Sequence, residues 1–296
     1  MSRGAKGLYC IYLALLLVYT VYTALDTFAI RRVETVLYVP QPAETPAMSA
    51  AEPVITADSY QDEHIRIALS TQRLADTTVY IADVTLSSAE YLKTALAQHA
   101  YGRNVTEKTS AIAAEQNAIL AVNGDFYGSR ERGYVLRNGV LYRSTAAADQ
   151  QDLVILSDGS FAVIREDEVS AASLLEQGAA QVLSFGPALV EDGSVTVSQT
   201  DEVGRAMASN PRTAIGIIAP LHYVFVVSDG RSSESAGLSL YELAMLMQSL
   251  GAQAAYNLDG GGSSTLYFNG AVVNHPTTGG GRIQERNVSD IVYIGY

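Results

Sequence analysis

The segment Asn257-Leu258-Asp259-Gly260-Gly261-Gly262-Ser263-Ser264-Thr265 sets one carboxylate beside three glycines and three hydroxyls. Consecutive glycines cost backbone entropy and bring no side-chain packing, so they point to a close approach of the main chain. Glycines of alternating hand can turn their N–H groups onto an anion, with Ser263, Ser264 and Thr265 adding hydroxyl donors. A plain turn, with Asp259 as its turn former, is the competing reading. A second polar cluster, Asn123-Gly124-Asp125-Phe126-Tyr127-Gly128, follows the apolar run 119–122. It stands where a buried strand ends, a favoured place for sites, though an ordinary Asn-Gly turn would look the same. Three arginines, Arg212, Arg231 and Arg286, sit in short polar stretches; a guanidinium fork suits phosphate oxygens, while a solvated surface arginine is the usual role of any one alone. Glu242 follows Ser239 at the spacing of a capping box, so a cap and a catalytic carboxylate compete for it.

Other chemistries find less support. The loop lacks the lysine of a nucleotide P-loop and the spacing of a dinucleotide fingerprint. His64, His99, His222 and His275 show no metal-ligand spacing, and no G-x-S-x-G elbow is present. Cys10, the single cysteine, lies in the apolar N-terminal run, which leaves no thiolate cage or disulfide framework. No Asp-rich calcium loop is seen, yet Asp259 with carbonyl oxygens could hold a divalent ion such as calcium, and no other cofactor is indicated. A net charge of -12 repels polyanions, so nucleic acid is not an expected partner and any anionic ligand must be held locally.

The elements that must position these residues read as a mixed α+β fold in which antiparallel pairs dominate. Alternation at Ile65, Ile67 and Leu69, and at Val79 and Ile81, predicts two strands, with helical character over 88–98. Asn138-Gly139, Asp158-Gly159, Asp192-Gly193 and Asn269-Gly270 each lie between apolar runs and predict tight hairpins. Helices are expected near 111–117, 170–177 and 239–250, the last with Leu240, Leu243, Ala244, Met247 and Leu250 on one stripe and Gly251 at its end. Strands and helices do not alternate strictly, so a doubly wound parallel sheet is disfavoured.

Upstream, residues 7–25 carry no charge and are apolar on every face, long enough to cross a bilayer as one helix. Arg3 and Lys6 precede the run and favour a cytoplasmic N-terminus, with the remainder extracellular; a cleaved secretory signal is the alternative. Four of the 8 prolines, Pro40, Pro42, Pro46 and Pro53, fall in 35–58, which reads as an extended spacer holding a domain clear of the membrane. The expected organisation is an anchor at 1–34, a linker at 35–58 and one catalytic domain at 59–296.

In order, Arg212-Thr213-Ala214-Ile215-Gly216, Asp229-Gly230-Arg231, Gly237-Leu238-Ser239-Leu240-Tyr241-Glu242, Leu250-Gly251-Ala252, the triglycine segment and Glu285-Arg286-Asn287-Val288 resemble the phosphodiester glycosidase family over roughly residues 60–296. Asn123 to Tyr127 fits that family's earlier strand end. The resemblance implies hydrolysis of a sugar 1-phosphodiester, of the N-acetylglucosamine type, between the anomeric carbon and the phosphate oxygen. It points to cell-envelope or exopolysaccharide glycans at the outer face of a cell membrane. Such a reaction needs carboxylates at the sugar and cations at the departing phosphate. It implies Asp259 as nucleophile or base, Glu242 and Arg231 as further catalytic groups, and Asn123, Asp125, Arg212, Gly260, Gly261, Gly262, Ser263, Ser264 and Arg286 as substrate-binding groups. A non-catalytic module for anionic wall polysaccharide and a metal-dependent phosphodiesterase are the alternatives, told apart by product release and by chelation.

Overall fold

The computed structural model describes residues 3–37, 52–200, 209–278 and 281–296; most of the expected linker, 38–51, lies outside them. Three antiparallel sheets form the body. The largest has nine strands, and its centre runs Ala254–Leu258, Arg212–Ala219, His222–Ser228, Thr77–Leu86, Ile65–Leu74. A five-stranded sheet holds Leu266–Phe268, Leu120–Asn123, Asp290–Ile294 and Leu92–Leu96. The third, also five-stranded, is built around Val135–Arg137, Ala179–Leu183 and Gln151–Leu156.

Strand alternation decides which face goes where. Tyr80, Ala82 and Val84 point into the central core, where they meet Leu120, Val122 and Ile294 of the second sheet and Leu153, Ile155 and Leu183 of the third. Val79 and Ile81, on the opposite face of the same strand, lie under the helix Leu240–Ser249 with Leu243, Ala244 and Met247. A fully buried side chain of this size contributes about 1.5–3 kcal/mol, so the alternation fixes the register firmly. The helices Thr109–Glu115 and Ala171–Glu176 cover the outer faces of the second and third sheets. The fold is therefore α+β with antiparallel sheets, as the pattern predicts.

Three of the four Asx-Gly pairs have positive φ at both residues: Asn138 and Gly139, Asp192 and Gly193, Asn269 and Gly270. Asp158-Gly159 differs: only Gly159 is left-handed, and the Asp158 carboxylate instead accepts hydrogen bonds from the Ser160 N–H and hydroxyl, which makes a longer Asx-type turn. The stretch 88–98 also departs from expectation. After a short 3-10 turn, Ala89–Tyr91, residues Leu92–Leu96 extend as an edge strand against Asp290–Ile294. Leu92 and Leu96 fit either period, and the sheet edge decides between them.

The apolar helix Arg3–Phe28 stands outside the body, exposed along 7–24, and its Gly7–Phe28 portion is long and apolar enough to cross a membrane. The chain does not run straight into a spacer. Arg32–Val36 pairs with Ala100–Arg103, and the Asn104 amide donates to the carbonyls of Ile30 (2.9 Å) and Thr27 (3.3 Å), so the end of the helix lies against the body.

Candidate active site

Two strand ends from different sheets meet. Leu120–Asn123 delivers Asn123, and Ala254–Leu258 delivers Asp259. Fully buried Asn123 joins them: its Oδ1 accepts from Thr213 Oγ1 (2.8 Å) and the Thr265 N–H (3.3 Å), and its Nδ2 donates to the Asp259 carbonyl (2.6 Å). The Asp259 N–H donates back to the Gly124 carbonyl at 3.3 Å. Asn123 thus fixes the main chain that carries the carboxylate.

Asp259 Oδ2 accepts from Ser263 Oγ (2.7 Å) and from Arg286 Nη2 (2.6 Å), while Arg286 Nε also donates to Ser263 Oγ (2.8 Å). These bonds engage one carboxylate oxygen and leave Oδ1 out of them. Asp259, Arg286, Asp125 and Phe126 border a hollow of about 270 Å³.

The triglycine serves this geometry unevenly. Gly261 has φ +63°, and a methyl there would lie 2.8 Å from Arg231 Nη2; at Gly260 a methyl would lie 2.9 Å from the Pro211 carbonyl. The Gly261, Ser263 and Ser264 N–H groups donate to Pro211, Gly260 and Gly261 carbonyls, so those amides are engaged within the protein and do not form a free anion cradle. Positive charge at the loop comes from side chains. Arg231, exposed and itself at φ +58°, lies against Gly261 and donates from Nε to Asn210 Oδ1 at 3.2 Å. A left-handed arginine is the kind of local strain that functional loops retain. Arg212 is buried beneath Gly260, its Nε donating to the Leu238 carbonyl at 2.9 Å. Ser264 is buried, with its carbonyl accepting from the Asn274 amide at 2.9 Å. Gly261→Ala is expected to displace the Arg231 guanidinium and raise KM about 10-fold, about 1.4 kcal/mol, with a smaller effect on kcat, as measured by steady-state kinetics.

Glu242 is placed elsewhere. Its Oε2 accepts from the Ser239 N–H and Oγ, both at 2.8 Å, and Ser239 Oγ accepts the Glu242 N–H, so both halves of the capping box are made. It borders a separate hollow with Leu74, Met245 and Leu246. The cap reading of Glu242 is met in full, and Glu242 does not border the hollow at Asp259.

Asp125 borders the hollow but points its carboxylate inward. Oδ1 accepts the Tyr127 N–H, and Oδ2 accepts from the Ser184 N–H and Arg137 Nη2, each at 2.8–2.9 Å. Arg137 Nε in turn donates to Asp290 Oδ2 at 2.8 Å, and all three side chains are buried. Burial pushes the Asp290 carboxyl above the ordinary range against the pull of Arg137. Sequence reasoning missed Arg137 and Asp290. The available signal was Asp290 opening an otherwise apolar strand, Asp-Ile-Val-Tyr-Ile.

Behind this group, Asp152 is fully buried near Glu166, and desolvation together with the Glu166 charge pushes its carboxyl up to about 9. A carboxyl with a raised folded-state value holds more protons folded than unfolded between about 4 and about 9, so its contribution to stability falls as pH rises through that window. Asp152→Asn, neutral at every pH, is expected to flatten the decline and to raise stability at pH 8 by about 1–3 kcal/mol. Urea unfolding at pH 5 and pH 8 reads it; an equal change at both would refute the assignment. Among the described residues no group of three or more His, Cys, Asp or Glu side chains gathers at metal-binding distance.

Comparison with known proteins agrees with this architecture. The phosphodiester glycosidase family model matches residues 116–295. The chain is 31% identical over 201 residues to the SPbeta prophage-derived uncharacterized protein YomE of Bacillus subtilis, covering 66% of this chain and 31% of that protein. It is 27% identical over 189 residues to the mouse N-acetylglucosamine-1-phosphodiester alpha-N-acetylglucosaminidase, covering 59% of this chain and 36% of that protein. The chain therefore spans about a third of the length of these curated relatives. The catalytic domain of the zebrafish enzyme of the same name, auto-inhibited by its pro-peptide, superposes with a TM-score of 0.63 at 20% identity, over 78% of this chain and 83% of that one. Family model, sheet architecture and strand order of the motifs lead to one conclusion: the chain belongs to the phosphodiester glycosidase family.

Proposed function

We propose that this chain hydrolyses a glycosyl 1-phosphodiester of the N-acetylglucosamine type, cleaving the bond between the anomeric carbon and the phosphate oxygen. The observation that carries the reading is the hydrogen-bonded unit of Asp259, Ser263 and Arg286 at the edge of a hollow, with Arg231 against the same loop. In the reaction the C1–O bond breaks, its electron pair leaves with the phosphate monoester, and water supplies the new C1–O bond. Asp259 Oδ1 acts at the sugar, either on C1 or on the proton of the attacking water. Arg286 and Arg231 stabilise the departing phosphate, which reduces the need for a separate proton donor. That accords with the position of Glu242 in a helix cap. Asn123 acts through the Asp259 main chain, and Asp125 through the turn that it caps. The names of the mouse and zebrafish relatives support the N-acetylglucosamine assignment.

The exposed apolar helix and the basic residues before it support a single-pass anchor with the body outside the cell, acting on envelope or exopolysaccharide glycans. Incubating the full chain in detergent with N-acetylglucosamine 1-(methyl phosphate) in ¹⁸O-labelled water tests the reaction. Label in the reducing sugar, with methyl phosphate unlabelled, is the expected result. Label in the phosphate would mean P–O cleavage, and binding without product would mean a non-catalytic module; either overturns the proposal.

A further inference from the structure

A second hollow, of about 390 Å³, is bordered by Tyr127 and Arg130 and shares no bordering residue with the hollow at the candidate active site. Four arginines border it, Arg32, Arg103, Arg130 and Arg143, against two carboxylates, Glu34 and Glu131. In a chain of net charge -12 this is a local reversal of sign. Arg103 pairs with Glu131 at 2.8 Å and Arg32 pairs with Asp26; Glu131 is largely exposed and Arg32 half exposed, where screening by water and salt leaves such pairs weak. Arg143 is fixed by donating to the Gly133, Tyr127 and Arg130 carbonyls. Its Nη2, and the Nε of Arg103, are buried without a hydrogen-bond partner among the described residues. Guanidinium groups gathered at one hollow, with Arg143 fixed by main-chain carbonyls, match the oxygens of a phosphate group.

One wall of this hollow is the segment that leaves the apolar helix. Arg32 stands opposite Arg103 in the antiparallel pairing, and the strands run so close that a methyl at Gly102 would collide with the Arg32 carbonyl. Arg32 follows the helix end at Phe28 by four residues, which sets Arg32, and Arg103 opposite it, close to the end of that helix. We propose that this arginine hollow is a second, non-catalytic site that binds a phosphate group, supplied by the headgroup of an anionic phospholipid or by a soluble phosphate compound. Held there, the ligand neutralises the arginines and ties the juxtamembrane strand to the catalytic body.

Titration calorimetry on the full chain in phosphate-free, uncharged detergent tests the site with inorganic phosphate, dihexanoylphosphatidylglycerol and dihexanoylphosphatidylcholine. The expected result is a binding event that survives Arg286→Gln and weakens at least 10-fold in Arg32→Gln/Arg103→Gln. Tighter binding of phosphatidylglycerol than of phosphate assigns the lipid source, and the reverse order assigns a soluble one. On the unsubstituted chain, phosphate should also slow phenylglyoxal modification of Arg32 and Arg103, located by mass spectrometry, so the site remains testable if the double variant does not fold. An event lost in Arg286→Gln, an event indifferent to the double substitution, or no protection of these arginines would each overturn the proposal. Since the readout is binding in a variant altered at the hydrolytic site, it fails or succeeds independently of turnover.

Discussion

Asp259→Asn is expected to lower kcat on a glycosyl 1-phosphodiester by about 10²–10⁴-fold, the range of a positioned acid–base group, while the protein still folds. The substitution keeps the shape, and an amide oxygen can still accept from Ser263 and Arg286 where Oδ2 did. What it removes is the negative charge that we propose acts at the anomeric carbon, and the basicity of Oδ1. Arg286 is half exposed, so losing this ion pair costs only about 0–1 kcal/mol of stability. Circular dichroism and a melting curve close to those of the unsubstituted chain therefore have to accompany the loss of rate. The anomer first formed by the unsubstituted chain, read by NMR, separates the two roles of Asp259: retained configuration identifies a nucleophile and inverted configuration a base. Full activity of Asp259→Asn would remove the carboxylate from the chemistry altogether.

Much of the fold was legible because burial writes a period into the chain. The alternation at Val79 and Ile81 announces a strand and the stripe from Leu240 to Met247 a helix, while the packing shows that this strand is covered on both faces and that the helix covers one of them. The three hairpins whose Asx-Gly residues are both left-handed were legible for a local steric reason. Where two periods fit the same residues, as at Leu92 and Leu96, only the neighbouring strand decides, and sequence spacing does not show which strand that is. The candidate site was legible only in part. Asp259, Ser263 and Arg286 come together from a loop and a distant polar stretch, but the pairing of Asp259 with Arg286 in particular could not be read from the order of motifs. Glu242 satisfied a local rule and a family pattern at once, and the geometry of the helix start resolves it. The arginine hollow is hidden in the sequence because Arg32 falls within the expected anchor and Arg103, Arg130 and Arg143 belong to no motif. Strand pairing after the helix brings them together.

Arg137→Met is expected to destabilise the folded chain by about 3–5 kcal/mol at pH 8, because it leaves Asp125 and Asp290 buried together without their shared counter-charge. The methionine fills much of the volume, so the loss reports the charges more than a cavity. The pH dependence gives the sign. Asp290 already stands above the ordinary carboxylate range through burial, with Arg137 as the opposing pull. Removing that pull raises it further, so the folded variant binds more protons than the unfolded chain over a wider span of pH. Stability of the variant must then improve as pH falls from 8 towards 5, where Asp290 becomes neutral, and the gap from the unsubstituted chain must narrow. Urea midpoints at the two pH values measure it, and a variant more stable at pH 8 than at pH 5 would show that the two carboxylates are not what Arg137 holds in place. The consequence reaches the site through two main-chain contacts. Asp125 caps the Tyr127 N–H in the turn that borders the hollow, and the Asp290 carbonyl accepts the Gly124 N–H beside Asn123. Loosening either lets the strand end that fixes the Asp259 carbonyl drift, and a displacement of about 1 Å is enough to cost on the order of 10²-fold in rate. At pH 5, where the fold recovers, kcat of Arg137→Met should therefore rise relative to its value at pH 8 when each is divided by that of the unsubstituted chain at the same pH.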